Sequence, residues 1–370
     1  MSKQIKLFSQ DENRIFNKKI KKILFISGKS SFYKTGADKI FQNKFNDKEK
    51  YLYLKYSNFP DFEELTKIIE LKDRIKPNLI VAVGGGCVID YAKIVSLFSI
   101  SKNLKNEIIN SDYIKNKKIP LLAIPTTAGS GAEVTSNAVI YIKNIKYSVE
   151  GKEVRPNFYA LLPKLILSSG LKTDASSGFD AVSQAIESLL SRKSNLQSVN
   201  YASRALKILV KNFPKFILNK NINNSYKMAL GANLAGKAIN ISKTTAPHAL
   251  SYPFTAFYGV PHGHAVSLSL NKFLKFNYKY QTRSISNFNL EKRFKLLFKL
   301  FNVENISQLD RELMLIKRTA KLEQNFTKIG VNLDNSYSKI LGGLNNQRLK
   351  NNPIKITKKD IKFILQKYWC

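Results

Sequence analysis

Over the first 168 residues, short apolar runs alternate with segments of helical periodicity, and beyond that point the short runs stop. KKILFIS (21–27), YLYLKYS (51–57), NLIVAV (78–83) and PLLAIP (120–125) read as strands, with helices expected around 35–43, 61–75 and 87–99. Strands that alternate with helices pair in parallel, and the helices cover both faces of the sheet. SNAVIYIKNIKYSVEG (136–151) breaks the alternation and reads as a hairpin with its polar turn at Lys143-Asn144. From about 170 the patterns are long and helical, as in SVNYASRALKILVKNF and SYKMALGANLAGKAINIS. The expected architecture is an α/β domain over 1–168, closing with the strand-like YALLPKLIL, then an all-α domain over 169–370 that opens with a capped helix carrying Asp180.

The chain has three histidines, His248, His262 and His264, all within seventeen positions. Imidazole this scarce and this concentrated points to metal binding. Upstream, SSGFDAVSQAIESLL sets Asp180 and Gln184 four residues apart where Ala181, Val182, Ala185, Ile186, Leu189 and Leu190 repeat at helical spacing. The two polar residues therefore share a stripe beside the buried one. One carboxylate oxygen and two imidazole nitrogens, with a fourth position open or weakly filled, make the ligand set of a catalytic Zn(II) or non-haem Fe(II) site. Asp180 has a second reading, as the partner of Ser177 in a capping box at the positive end of the helix. Residue type alone does not choose between the two.

Gly84-Gly85-Gly86 follows a strand and opens a helix, the geometry that brings backbone N–H groups and the positive helix end against a pyrophosphate. The loop is not GxGxxG, and taken alone it is equally a tight turn.

Four motifs in order decide both questions: Gly84-Gly85-Gly86-Cys87-Val88-Ile89-Asp90-Tyr91-Ala92-Lys93, PTTAGSGAEVTS (125–136), GFDAVSQAIES (178–188), and the HAL and PHG segments at His248 and His262. Together they resemble the iron-containing (group III) alcohol dehydrogenase family over nearly the whole chain. The resemblance implies the dehydroquinate synthase-like fold of that family, with a dinucleotide-binding α/β domain and a helical metal- and substrate-binding domain. It also implies metal ligands at Asp180, Gln184, His248 and His262, and dinucleotide contacts at Gly28, Ser30, Ser31, Gly84, Gly85, Gly86, Cys87, Asp90, Thr126, Thr127 and Ser130. The metal implied is Fe2+, with Zn2+ or another divalent ion as alternatives. Gln184 departs from the family, which usually has an imidazole there, and a neutral amide oxygen lowers the expected metal affinity. At Tyr252 many members carry a histidine proton donor, so that role passes to Tyr252, to His264, or to a relay through water and the cofactor ribose. Cys87 replaces the family's usual serine and reads as a small packed residue. Members that prefer NAD tend to place an Asp at the end of the first strand. Ser27-Gly28-Lys29-Ser30-Ser31-Phe32-Tyr33-Lys34 contains no acid, which favours the 2′-phosphate of NADPH over NADH.

Within the family, DAVSQAIES, AGKAINISKTTAPHALSYPF, PHGHAVSL and RLKNNPIKITKKDI look like the phosphonoacetaldehyde reductases. That resemblance implies reduction of a small anionic aldehyde, phosphonoacetaldehyde, to 2-hydroxyethylphosphonate in phosphonate biosynthesis. Lys243, Thr244 and Thr245 are then the first candidates to bind the phosphonate, with Lys237 and Lys146 second. Alternatives are another small alcohol or aldehyde, a cyclase of dehydroquinate synthase type that uses NAD transiently, or a non-catalytic dinucleotide or polyanion binder.

The formal charge of +35 raises nucleic acid as a partner, but the lysines are dispersed and no nucleic-acid motif accompanies them, so no specific nucleic-acid binding is expected. No apolar run approaches a membrane span, and MSKQIKLFSQDENRIF lacks the apolar core of a signal peptide, so a cytoplasmic protein is expected. Cys87 and Cys370 are the only cysteines, which leaves no disulfide framework or thiolate metal site. Relatives are often dimeric or larger, and a homo-oligomer is expected.

Overall fold

The computed structural model describes residues 2–5, 20–44, 47–113, 118–143 and 145–366; Asn144 and Cys370 lie outside them. The chain divides into two compact units, one of residues 1–127 with 131–169, the other of 128–130 with 170–370. The three residues 128–130, from the PTTAGSG segment, therefore group with the helical unit, which a single boundary at 168 does not capture.

Unit 1 holds a six-stranded sheet built from β1 (Lys3–Gln4), β2 (Lys22–Gly28), β3 (Glu49–Lys55), β4 (Leu79–Gly84), β5 (Leu121–Pro125) and, after a separate antiparallel hairpin of β6 (Asn137–Ile142) and β7 (Ile145–Glu150), β8 (Phe158–Tyr159). Its order is β1-β8-β5-β4-β2-β3 and every pair is parallel. Alternation along β2 sends Leu24 and Ile26 into the core under α3 (Phe62–Ile75) and α4 (Gly86–Val95), and Ile23 and Phe25 into the opposite core with α1 (Lys29–Tyr33) and α2 (Ala37–Lys44). Both faces are thus buried, which is why the strands read as near-continuous apolar runs. Gly28 pairs with Lys55, Ser27 with Val83 and Gly84 with Pro125, so the carboxyl ends of four strands stand in one row.

The YALLPKLIL segment is mostly not a strand. Only Phe158–Tyr159 pairs in the sheet, and Pro163–Ile166 forms a short helix with Pro163 in its first turn, where its missing N–H costs nothing. The helix expected over 87–99 ends at Val95, and the five-residue α1 carries no periodicity long enough to read.

Unit 2 is a helical assembly around α7 (Leu171–Leu190), packed by α8 (Leu196–Leu218), α9 (Ile222–Ser242) and α11 (His262–Lys279), with α10 (Ala246–Tyr258) against α11. From Gly178 to Leu190 every residue of α7 is buried. The helix begins at Leu171 after Gly170, which places Ser177 in its interior, donating to the Asp174 carbonyl. The capping-box reading of Asp180 therefore fails: Asp180 sits nearly three turns into a buried helix. The second and third turns of α7 cross α11 so closely that a Cβ on Gly263 would stand 1.9 Å from the Ser176 carbonyl oxygen and 2.8 Å from Asp180 Cβ. We expect Gly263→Ala to lower stability by about 1–3 kcal/mol in urea unfolding, because backbone rather than a flexible side chain would have to move.

Candidate metal centre

Spacing along α7 puts Asp180, Gln184 and Glu187 on one stripe, at i, i+4 and i+7, all 5% exposed or less. Helix α10 contributes His248, also buried, and α11 begins with His262. One ligand atom from each of Asp180, His248 and His262 lies within 4.8 Å of the other two. A tetrahedral site with bonds of about 2.1 Å has ligand atoms roughly 3.4 Å apart, so a modest inward shift of these side chains would enclose a cation. The two histidine rings meet edge to face at 5.3 Å between centroids.

Gln184 supports the same reading. Its Nε2 donates to Asp180 Oδ2 at 3.0 Å, while its buried Oε1 has no hydrogen-bond partner. Turning the amide over would set that oxygen against the carboxylate. A buried carbonyl oxygen on the residue that contacts the Asp180 carboxylate is a fourth donor, the second through oxygen, in want of a cation. The donor set therefore fits a divalent metal.

Behind the ligands stands Glu187, which motif reading overlooked. Its Oε1 lies 2.5 Å from His248 Nδ1, and its Oε2 accepts from Thr245 N at 2.6 Å and Thr245 Oγ1 at 2.9 Å. This is the carboxylate–histidine arrangement that fixes the tautomer of a metal-binding imidazole, with Nδ1–H donated to Glu187 and Nε2 aimed at the metal. Its i+7 spacing from Asp180 was the available signal. Nε2 itself lies 3.1 Å from Asp180 Oδ1. Burial alone would lower the His248 pKa, but the Glu187 and Asp180 carboxylates outweigh it and hold the ring protonated, up to about 10.

The remaining candidates separate clearly. Tyr252, one turn beyond His248 on α10, stacks on the His262 ring at 5.9 Å and 24°. His264 is turned about 200° around α11 from His262 and its Nε2 meets the Glu323 carbonyl at 2.7 Å, so its ring proton is engaged away from the cluster. Thr245 commits both its donors to Glu187, which leaves it none for a phosphonate; Thr244 is buried, and Lys243 ends α9 with φ 59°. Lys237 lies within α9, and Lys146 belongs to β7 in unit 1. A cavity of about 630 Å³ in unit 2, reached by Arg192 and Lys350 among others, includes none of the candidate ligands.

In unit 1 the structure gathers most of the expected dinucleotide contacts at the carboxyl ends of β4 and β5. Gly84 lies under Val88, whose Cγ2 would stand 2.5 Å from any Cβ there, and Gly85 caps α4. Thr126 N donates to the Gly84 carbonyl, and the Thr127 side chain borders Gly85. The first N–H groups of α4, including those of Gly86 and Cys87, have no partner within the helix. Burial pushes the Cys87 thiol up to about 12, as suits a packed residue. Ser31 Oγ is hydrogen-bonded to Gly28, and Ser30 is exposed. Asp90 faces inward, accepting from Val139 N at 3.1 Å and pairing with Lys93 at 3.5 Å, so it ties the hairpin to α4 rather than pointing at a cofactor. Ser130 belongs to unit 2.

Two family models match the chain: iron-containing alcohol dehydrogenase over residues 8–163, and the Fe-containing alcohol dehydrogenase family, C-terminal, over 174–369. The chain is 31% identical over 255 residues to 4-hydroxybutyrate dehydrogenase of Clostridium kluyveri, covering 67% of this chain and 65% of that protein. It is 29% identical over 215 residues to phosphonoacetaldehyde reductase of Streptomyces viridochromogenes, covering 55% and 54%. The match thus spans between about half and just under two thirds of these relatives' length. Sulfoacetaldehyde reductase from Bifidobacterium kashiwanohense, solved in complex with NAD+, superposes with a TM-score of 0.84 at 22% identity, over 94% of this chain and 90% of that one.

Glu187→Gln should weaken divalent-metal binding by about 10–100-fold in a chelator competition, with the fold retained. The raised His248 pKa gives a second expectation. Metal must displace the His248 proton, so apparent affinity should climb from pH 6.5 toward 10 by roughly tenfold per unit. A group whose folded pKa lies above its unfolded one stabilises fully below the unfolded value and loses that contribution as pH rises through the folded value. Metal-free protein should accordingly lose thermal stability over the same interval, as melts at stepped pH would show.

Proposed function

The chain belongs to the iron-containing alcohol dehydrogenase family, and from that premise we propose that it is a metal-dependent, NADPH-linked reductase of a small anionic aldehyde. The observation that carries the reading is the cluster of buried Asp180 and His248 with half-buried His262, and the orphaned Gln184 oxygen on the neighbouring turn. Phosphonoacetaldehyde, reduced to 2-hydroxyethylphosphonate in phosphonate biosynthesis, is the substrate the motif pattern favours. Both curated relatives named above are called after compounds with an acidic group on a short carbon chain, a carboxylate in one and a phosphonate in the other.

When bound, the divalent cation would supply Lewis-acid polarisation of a carbonyl oxygen and the dinucleotide would supply hydride. The protein's residues do the rest. Asp180, His248, His262 and the Gln184 oxygen hold the cation, and Glu187 keeps Nε2 of His248 aimed at it. Of the two side-chain candidates for proton donor, Tyr252 lies on the His262 ring whereas His264 is engaged by Glu323, so the Tyr252 hydroxyl would hold the proton at the site, the third route being a relay through water and the cofactor ribose. In unit 1, the first turn of α4 receives the pyrophosphate on its open N–H groups, and Thr126 and Thr127 border it. Lys243 answers the anionic group of the substrate. It precedes the buried Thr244-Thr245 step that holds Glu187, so its backbone is fixed close to the ligands.

Three aldehydes test the reading: phosphonoacetaldehyde, succinic semialdehyde and acetaldehyde, each with NADPH or NADH, in metal-stripped protein before and after Fe2+ or Zn2+ is restored. Metal-dependent NADPH oxidation with kcat/KM highest for phosphonoacetaldehyde is expected. A preference for succinic semialdehyde would move the substrate to a carboxylate, and turnover unchanged by chelation would sink the metal role. Lys243→Ala should raise KM for phosphonoacetaldehyde by roughly tenfold or more, the worth of one charge-assisted hydrogen bond, and leave acetaldehyde nearly unaffected.

A further inference from the structure

Lys55, Gly28 and Gly84 share one row across the carboxyl ends of β3, β2 and β4. Residues alternate faces along a strand, so Lys55 continues the stripe of Tyr51 and Tyr53, which pack into the core beneath α3 and α4. Its side chain leaves the sheet on the face where α4 begins. A Cβ on Gly28 would stand 4.0 Å from Lys55 Cε, and Lys55 Nζ donates to the Ser57 carbonyl at 2.5 Å. The ammonium is also near enough to Cys87, in the first turn of α4, to oppose the burial that raises that thiol.

Nearby acids do not neutralise it. Glu64 is filled by Tyr56 N, Ser57 N and the Tyr91 hydroxyl, Asp90 by Val139 N and Lys93, and no carboxylate comes within 4.0 Å of Lys55 Nζ among the described residues. An ammonium has three donors; the Ser57 carbonyl takes one, and the Cys87 sulfur, a weak acceptor, lies beside another. What is left is an anchored cation at the mouth of a parallel sheet, where such sheets bind their ligands.

Position says which anion. Neighbouring strands are about 4.8 Å apart, so the Lys55 backbone stands roughly 10 Å along the row from β4, and its side chain reaches back over β2 toward Gly28 and Cys87. The ammonium thus lies over β2, beside the first turn of α4, on the side toward which the adenosine ribose extends in dinucleotide-binding sheets of this kind. We infer that Lys55 sets the dinucleotide preference by binding the 2′-phosphate that NADPH carries and NADH lacks. The inference rests on the dinucleotide role given to unit 1 above. It also relieves Ser31, whose hydroxyl is tied to Gly28, of that task.

The test is direct binding, read by intrinsic fluorescence or calorimetry on metal-loaded protein, of NADPH, NADH, adenosine 2′,5′-bisphosphate and adenosine 5′-monophosphate. Lys55→Ala should weaken NADPH and the bisphosphate by about 10–100-fold and leave NADH and the monophosphate within roughly threefold. Lys55→Arg should keep most of the NADPH affinity, and Lys55→Gln should reproduce the loss if the alanine variant folds poorly. An equal loss for both dinucleotides would assign Lys55 to the shared pyrophosphate and overturn the inference, as would no loss for either. A wild-type protein that binds NADH more tightly would refute the NADPH preference itself, and the role of Lys55 would still be decided by whether its replacement harms NADPH more than NADH.

Discussion

Two carboxylates inside one buried helix dominate the energetics of unit 2. Asp180 and Glu187 are 5% and 2% exposed, and a carboxylate removed from water costs several kcal/mol unless charge or hydrogen bonds compensate. His248 bridges them, one nitrogen toward each, and its raised pKa is the protein's answer when only protons are at hand. One imidazolium against two carboxylates still leaves a net negative charge. A divalent cation with neutral imidazoles would balance the pair fully and give the partnerless Gln184 oxygen something to bind. Charge bookkeeping in a dry interior thus selects a doubly charged ion over a singly charged one.

The same helix dictates how its neighbours are held. Glu187 accepts the backbone N–H of Thr245, so the segment between α9 and α10 is fastened to α7 by the carboxylate that orients His248. Two further ties secure the segment: Ser191 Oγ donates to the Ser242 carbonyl, and Asn351 Nδ2 donates to that of Thr244. On the other side, Gly263 lets α11 lie against Ser176, which brings His262 to the cluster as the first residue of its helix. Ligand placement is therefore a property of backbones in contact. Side-chain contacts then orient the His248 ring on Glu187, the Gln184 amide on Asp180 and the Tyr252 ring on His262.

Much of this was legible in the chain. The four principal strands of unit 1 are apolar runs because both faces of the sheet are buried, and the hairpin announced itself by its alternation. Asp180, His248 and His262 stood out because imidazole is scarce here and because the motifs around them are specific. What escaped notice had ordinary local chemistry. Glu187 is one more glutamate in a helix, and only the fold reveals that a histidine 61 positions away needs it. Ser177 and Asp180 mimic a helix start, yet the helix begins at Leu171 because Gly170 and the residues after it already permit the turn. Thr245, His264 and Asp90 carry donors or acceptors suited to the tasks expected of them, but each is engaged elsewhere by a partner distant in sequence.

Lysine abundance hides information that position restores. With 61 basic residues in 370, the presence of a lysine near any motif says little, and a long-range positive field draws all phosphates alike. Discrimination between two dinucleotides that differ by one phosphate requires a cation at one place with its other partners excluded. The register of β2, β3 and β4 supplies the place, and the saturation of Glu64 and Asp90 by neighbouring donors supplies the exclusion. An acid at the end of β2 would repel such a phosphate and pair with the ammonium, so the proposed selectivity requires both the acid-free stretch from Ser27 to Lys34 and a Lys55 free of carboxylate contact.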